Sequence, residues 1–255
     1  MDTSNSFSWD RRCIASTSSM ETYKVCRGDW LPGRPYGFCC PAGDFLYLTM
    51  PDYHIPLIPN KTYHVFSRAI GNEQLFREPT NYQFFLSRFH KHVSPVADNL
   101  SYCLLPNHFH SMLRIKNELF IKEHFYAVKK KKLFTPELAS DFIMERISNL
   151  LNSYTKAYNK MYKRRGSLFI DYCRRVEITN DAQLRATIFY IHKNPVHHGY
   201  CDSIEKWHWS SYHEFASGKP SSLCRQEVLE WFGGVKGFMA HHQQPIYLKE
   251  YPDFE

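Results

Sequence analysis

The sequence predicts an α+β fold in which a ferredoxin-like antiparallel sheet is covered by packed helices and carries a helical insertion. Three observations lead to this prediction. Segments typical of strands and of helices follow one another as strand, helix, strand, strand, helix, strand, which is the ferredoxin-like order. Hydrophobic residues make up 43% of the 255 residues, which is enough for a substantial core. Charged residues make up only 22%, too few for a long coiled coil.

The first half of the predicted domain holds three strands and one helix. Residues 62–68 (TYHVFSR) are rich in β-branched and aromatic residues and are predicted to form a strand. Thr80 is predicted to cap a helix that continues to His92, with phenylalanines on its apolar side. Residues 100–105 and 108–115 are predicted to be strands, since the turn signal Pro-Asn separates them.

A long helix is predicted next. Ser140 or Asp141 opens it, and apolar residues recur at helical spacing from Ile143 to Met161. Gly166 is expected to end this helix, because glycine is the residue most often found just beyond a helix C-terminus.

The last strand and helix complete the predicted order. Residues 167–176 are predicted to be a strand or an extended segment. Asn180 is a predicted N-cap, with Gln183 three residues later, as in a capping box. The helix is expected to run to about Asn194, where Pro195 stops it.

Three regions are predicted along the chain. Residues 1–55 contain four of the eight cysteines, have Pro/Gly clusters and show no clear periodicity. They are therefore predicted to be a poorly ordered N-terminal extension. Residues 56–217 are predicted to be the main domain, with a helical insert at about 116–163, and residues 218–255 a C-terminal helical tail.

Composition restricts the expected location and partners. No stretch of about 18 uninterrupted apolar residues exists, so no membrane span is predicted. The N-terminus has no apolar run typical of a signal peptide, so a cytoplasmic location is expected. No Cys-x-x-Cys pair supports a zinc ribbon or a thioredoxin-like site. The formal net charge of +7 favours an anionic partner.

Basic residues gather in three clusters with aromatic neighbours, a composition typical of a nucleic-acid groove. Solvated helix faces and loops would give the same composition, so both interpretations stay open. The clusters are Lys129, Lys130, Lys131 and Lys132, then Lys160, Lys163, Arg164 and Arg165, and finally Arg174 and Arg175.

The segment His108-Phe109-His110 is the sharpest chemical feature. Side chains alternate along a strand, so His108 and His110 point to one face and Phe109 points into the core. Two imidazoles about 7 Å apart along one strand face can bind a single metal ion. Two exposed polar histidines on a half-buried strand are the alternative interpretation.

Tyr190 and Asn194 form the second chemical feature. They are four residues apart and therefore lie on one face of the predicted helix. This arrangement could present a tyrosine nucleophile beside an amide oxygen that binds a metal. A core-edge tyrosine and a capping asparagine would give the same spacing.

Together, five segments resemble the HUH (His-hydrophobic-His) single-tyrosine transposases of the insertion-sequence-200-like family, close to the REP-associated tyrosine transposases. The resemblance covers about residues 56–240, and residues 1–55 have no counterpart in it. The segments are TYHVFSRAIGNEQLF (62–76), SYCLLPNHFHSML (101–113), RRGSLF (164–169), YIHKNPVHHGY (190–200) and WHWSSYHEF (207–215).

The resemblance implies that residues 56–217 are a transposase catalytic domain. Such an enzyme cuts and rejoins single-stranded DNA at hairpin-flanked ends through a 5′-phosphotyrosine intermediate. Tyr190 matches the nucleophile, His108 and His110 match two metal ligands, and Asn194 matches the third, which is Gln in other branches. Mg²⁺ or Mn²⁺ is the implied cofactor. The implied partners are single-stranded DNA with hairpins and a second copy of the chain, with no membrane.

The roles of several neighbouring residues stay open. His64 could face the site or only pack, and Tyr172 is a rival nucleophile, although only Tyr190 has an asparagine four residues later. Candidates for contacts to the DNA backbone are Lys129, Lys130, Lys131, Lys132, Arg164, Arg165, Arg174, Arg175 and Lys193.

Three other functions use the same residues. A replication-initiator-like nickase would share the histidine pair and the tyrosine, but such proteins usually carry further domains. A domesticated protein could bind DNA hairpins without cutting them. A metal-dependent phosphodiesterase could use the metal while Tyr190 is only structural.

Overall fold

The computed structural model describes residues 36–39, 45–48, 52–170, 173–217 and 221–245. The chain divides into two compact units, residues 1–52 and 53–255. In the first unit, β1 (Tyr36–Cys39) pairs antiparallel with β2 (Phe45–Leu48). These strands lie in the segment predicted to be a poorly ordered extension, and at four residues each they are too short to show a period in the sequence. The second unit begins at Tyr53, slightly before the predicted boundary.

A four-stranded antiparallel sheet forms the second unit's centre, in the order β4-β5-β3-β6. This order, with helices in the connections, confirms the predicted ferredoxin-like α+β class. The strands are β3 (Thr62–Arg68), β4 (Ala97–Leu105), β5 (His108–Ile115) and β6 (Arg174–Ile178).

Seven helices and one short 3-10 turn are found among the described residues. None of these helices has both the length and the apolar content needed to cross a membrane. The segment predicted as a helical insert contains α2 and α3, and the predicted C-terminal tail contains α6 and α7. The elements are α1 (Pro79–His92), α2 (Glu118–Val128), α3 (Leu138–Met161), α4 (Asp181–His197), the 3-10 turn (Ile204–Lys206), α5 (Tyr212–Ala216), α6 (Arg225–Trp231) and α7 (Val235–His242).

Each face of the sheet has its own core. Phe109, Leu113 and Ile115 of β5 are buried in one core together with residues of α1, α2 and α3. Met112 of β5 is buried in the other core with residues of α4 and the C-terminal helices. His108 and His110 share the parity of Met112, so they lie on the face that α4 covers.

Two element starts differ from the prediction. Helix α1 starts at Pro79 with Glu78 as N-cap, whereas Thr80 was predicted to cap it. Proline is favoured at the first helical position because its missing N–H needs no partner there. The backbone N–H of Glu78 donates to Oδ1 of Asn81 at 3.1 Å. Strand β4 starts at Ala97, three residues before the predicted position.

The long helix α3 ends earlier than predicted. It starts at Leu138 and ends at Met161, well before Gly166. Lys163 has a φ of 51°, in the left-handed region, and this conformation ends the helical path. The next strand was placed too early, since β6 begins at Arg174 and Phe169 forms only an isolated bridge with Ala69.

Helix α4 confirms the predicted cap but not the predicted end. Oδ1 of Asn180 accepts a hydrogen bond from the backbone N–H of Gln183 at 2.9 Å. Pro195 does not stop the helix, which continues to His197. A proline in the last turn removes one backbone donor, while His198 still donates to the carbonyl of Asn194 at 3.0 Å.

Candidate active site

The candidate site lies where α4 crosses the start of β5. Strand alternation directs His108 and His110 to the same face. In the register of the sheet, Arg68 of β3 is opposite His108, and Phe66 is opposite His110. On α4, Tyr190 and Asn194 are separated by one turn and are both buried.

The four residues predicted from two separate motifs come together here. Nε2 of His108 lies 3.0 Å from Oδ1 of Asn194. The ring centroids of His108 and His110 are 5.1 Å apart. The Tyr190 ring stands nearly perpendicular to the His110 ring, with centroids 5.6 Å apart. The sheet and the helix thus place two imidazoles, an amide and a phenol within one small volume.

Asn107 determines which ring nitrogen of His108 carries the hydrogen. Its Oδ1 lies 2.7 Å from Nδ1 of His108 and also accepts a hydrogen bond from the Tyr200 hydroxyl at 3.2 Å. An amide oxygen can only accept, so Nδ1 of His108 carries the hydrogen. In the neutral ring, Nε2 of His108 therefore presents a lone pair toward Asn194.

The contact between His108 and Asn194 therefore joins two electron-pair donors. Nε2 of His108 faces the amide oxygen of Asn194, while Nδ2 of Asn194 is buried with no hydrogen-bond partner in the described part of the chain. Two such donors attract each other only through a proton or a cation between them. This arrangement fits a site that binds a divalent cation.

His64 belongs to the same cluster, which settles the alternative left open by the sequence. Its Nε2 lies 2.9 Å from Nδ1 of His110, and both side chains are buried. Burial lowers the pKa of His64 to about 3 and holds the pKa of His110 well below its usual value. Both rings are therefore neutral near pH 7, the form in which imidazole binds metals.

The donor set is compatible with a hard or borderline cation. Among the described residues, no group of three or more His, Cys, Asp or Glu side chains is arranged to hold a metal ion. The third donor here is the amide oxygen of Asn194, beside His108 and His110. Oxygen ligands suit Mg²⁺ and Mn²⁺, and the two imidazoles favour Mn²⁺.

Tyr190 is almost completely buried. Its side chain is only 1% exposed, and its ring is in edge contact with His64 and His110. A phosphate can reach its hydroxyl only after neighbouring side chains move. Tyr172, the rival nucleophile of the sequence analysis, lies outside the described residues.

His198 is a neighbour of the site that was not among the predicted site residues. It is exposed, yet its ring centroid lies 4.8 Å from that of His108. The prediction that α4 ends at Asn194 hid this proximity, because the continued helix brings His198 back toward β5.

Two of the predicted DNA-contacting arginines hold loops of the protein. Arg175 is buried and donates to the backbone carbonyls of His54 and Ile55. Nε of Arg164 lies 2.9 Å from Glu73, and its Nη2 donates to the carbonyl of Ser167 at 2.7 Å. Each guanidinium is thus engaged within the fold.

The four predicted lysine contacts at residues 129–132 lie away from the candidate site. Lys129 to Lys132 follow α2, which packs on the opposite face of the sheet, and Lys129 pairs with Glu145 at 2.7 Å. Lys193 directly precedes Asn194 on α4, and its Nζ lies 5.6 Å from the centroid of the Phe189 ring. Of the remaining candidates, Arg165 is exposed in the segment that follows α3, and Arg174 lies on the site face of β6.

No protein-family model matches this sequence, and no curated protein matches it either. Among solved structures, one described as a REP-associated tyrosine transposase bound to a REP hairpin is similar to this chain. It is 19% identical, with a TM-score of 0.49 over 68% of this chain and 90% of that chain.

Proposed function

We propose that this protein is a metal-dependent tyrosine transposase that cuts and rejoins single-stranded DNA at hairpin-flanked ends. The observation that carries the proposal is the convergence of His108, His110, Tyr190 and Asn194, with 3.0 Å between Nε2 of His108 and Oδ1 of Asn194. These residues belong to two sequence motifs, one on β5 and one on α4, that are far apart in the sequence. The resemblance to HUH transposases assigns each of them a role in this chemistry.

The proposed reaction is a phosphoryl transfer. The hydroxyl oxygen of Tyr190 attacks the scissile phosphate and loses its proton, and a bond forms between that oxygen and phosphorus. The bond from phosphorus to the 3′-oxygen of the preceding nucleotide breaks, and that oxygen takes up a proton. The 5′-phosphotyrosine conserves the bond energy, so a second 3′-hydroxyl can rejoin the strand without ATP.

The protein's contribution is to hold the cation and the nucleophile in place. His108, His110 and Asn194 would bind Mg²⁺ or Mn²⁺, which supplies neutralisation of phosphate charge and polarisation of the phosphorus centre. Asn107 keeps the lone pair of His108 available on Nε2. The neutral state of His110, imposed by burial, keeps its ring able to bind the cation at physiological pH.

A covalent-adduct assay tests this proposal. Single-stranded oligonucleotides with the hairpins that flank the gene are incubated with the protein and Mn²⁺, and the products are separated on a denaturing gel. We expect an adduct with the wild type that disappears with EDTA and with Tyr190→Phe. Tyr126→Phe, which changes an exposed tyrosine on α2, is the matched control and should retain the adduct.

The other outcomes identify the alternatives. An adduct that persists in Tyr190→Phe and is lost in Tyr172→Phe would move the nucleophile to Tyr172. DNA that is retarded on a native gel but never joined to protein would favour the hairpin-binding protein. Metal-dependent cleavage without an adduct would favour the phosphodiesterase.

We also propose that the active form is a homodimer. A mixture of Tyr190→Phe and His108→Ala protein tests whether the tyrosine and the metal ligands of one site come from different copies. Recovery of adduct in the mixture indicates use of the partner's tyrosine. Measurement of the molar mass in solution tests the dimer itself.

A further inference from the structure

Two arginines share the face of the sheet that carries the candidate site. Arg68 ends β3 directly opposite His108, and Arg174 of β6 is opposite Phe66, which is itself opposite His110. Residues paired across antiparallel strands project to the same side. Arg68, Arg174 and the two histidines therefore lie on a single face at one end of the sheet.

Both arginines have charges available for a ligand. Arg68 is exposed and Arg174 is half-buried. Within the described ranges, no carboxylate lies within ion-pair distance of either guanidinium, whereas Arg164 pairs with Glu73 and Arg175 is held by backbone carbonyls. Arg68 and Arg174 thus have no carboxylate partner among the described residues and lie on the site face of the sheet.

Arg174 also has an aromatic neighbour. Its guanidinium carbon lies 5.5 Å from the centroid of the Tyr53 ring. The Tyr53 ring in turn makes an edge contact with Phe66, with centroids 5.9 Å apart. A cation over an aromatic ring at the edge of a groove is a combination that binds single-stranded nucleic acid.

The spacing of the two cations suits a polyanionic chain. Arg68 is two residues beyond the position on β3 that pairs with Arg174, so the two are diagonal neighbours. Diagonal neighbours in antiparallel sheets are about 7–8 Å apart. A single small anion needs only one guanidinium, whereas two cations at this separation can contact two phosphates of one strand.

We propose that Arg68 and Arg174 form a phosphate-binding pair that holds the backbone of single-stranded DNA beside His108 and His110. The proposal rests on the proposed function, since it assigns the substrate strand a path from the β3–β6 edge to the candidate site. The pair positions the strand and takes no part in bond making or breaking.

Salt dependence of binding tests the pair directly. The probe is fluorescently labelled oligothymidylate, titrated with the Tyr190→Phe protein in EDTA so that no covalent product forms. Each phosphate contact that is lost lowers the slope of log affinity against log salt by about 0.7 for single strands. We expect this decrease for Arg68→Gln and for Arg174→Gln, and about twice this decrease for the double variant.

Controls separate a specific contact from a general loss of charge. Arg88→Gln removes one positive charge from α1, on the opposite layer, and should leave the slope unchanged. Arg68→Lys retains the charge and should keep most of the slope. Thermal unfolding of the Arg68 and Arg174 variants should stay close to that of the parent protein, because neither guanidinium makes an ion pair within the described residues.

The outcomes distinguish this inference from the proposed function. If wild-type protein forms the Tyr190 adduct but the slope is unchanged in the double variant, the phosphate-binding pair is refuted and the transposase proposal stands. If the slope falls as expected but no strand yields an adduct, the pair stands and the cleavage chemistry is wrong. A decrease of the same size in Arg88→Gln would also overturn the pair.

Discussion

Nδ1 of His192 lies 2.9 Å from Nε2 of His242, and this contact joins α4 to α7. The other hydrogen bonds of the two rings determine which histidine donates in this contact. Nδ1 of His242 faces the carbonyl oxygen of Phe238 at 2.8 Å, so it must donate there, and its Nε2 must accept from His192. Nε2 of His192 then accepts from the Ser211 hydroxyl at 2.7 Å. This network anchors the helix that carries Tyr190.

Acid should weaken this anchor. Burial lowers the pKa of His242 to about 3, so the folded protein keeps the ring neutral, whereas the unfolded chain protonates it near pH 6.5. The unfolded state therefore binds more protons below pH 6.5, and the free energy of unfolding falls as the pH decreases toward 3. The loss from this one group is roughly 1 kcal/mol per pH unit.

Urea unfolding at pH 7 and pH 5 measures this effect. We expect the wild type to lose more stability between these values than His242→Gln, which has no imidazole to protonate. His90→Gln, a change at an exposed position of α1, should behave like the wild type. Identical pH dependence in His242→Gln and the wild type would contradict the prediction.

Arg174 and Arg175 are adjacent in sequence but should respond oppositely to the same substitution. Arg175→Gln removes a buried guanidinium that donates to the backbone carbonyls of His54 and Ile55, and loss of such hydrogen bonds costs about 1–3 kcal/mol. Arg174→Gln leaves no such group and should change stability by less than about 0.5 kcal/mol.

Urea unfolding of the two variants tests this difference. Two equal free energies of unfolding would show that the buried contacts of Arg175 contribute nothing beyond those of its neighbour. The comparison is internally controlled, because both variants lose one positive charge from the same strand.

The sequence alone predicted those parts of the site in which the residues lie on one strand or on one helix. Strand alternation placed His108 and His110 on one face, and helical spacing placed Tyr190 and Asn194 together. Both inferences use only the period of a local conformation. The strand–helix order likewise predicted the sheet, because few topologies accommodate it.

Residues that reach the site through another element were missed. Arg68 is beside His108 only because of the register between β3 and β5, which no local pattern specifies. The end of α4 was predicted too early because Pro195 was expected to stop the helix, although a proline so near the C-terminus costs only one hydrogen bond. The basic clusters were also ambiguous. Arg164 and Arg175 lie in clusters whose composition is typical of a DNA-binding groove, but their side chains hold loops of the protein.

Asn107 should control the affinity for the cation without binding it. It fixes the tautomer of His108, and loss of such a supporting contact typically lowers metal affinity 10–100-fold. We therefore expect Asn107→Ala to weaken Mn²⁺ binding by about this factor. Tyr200→Phe should have a smaller effect, because it removes only the hydroxyl that holds Asn107.

Titration of Mn²⁺ followed by electron paramagnetic resonance measures these affinities in the absence of DNA. Asn107→Asp retains an acceptor oxygen toward Nδ1 of His108 and should recover most of the lost affinity. Asn152→Ala, at an exposed position of α3, is the matched control. If Asn107→Ala binds Mn²⁺ with wild-type affinity, His108 needs no fixed tautomer. If Asn107→Asp loses as much Mn²⁺ affinity as Asn107→Ala, the acceptor oxygen of Asn107 does not determine the affinity.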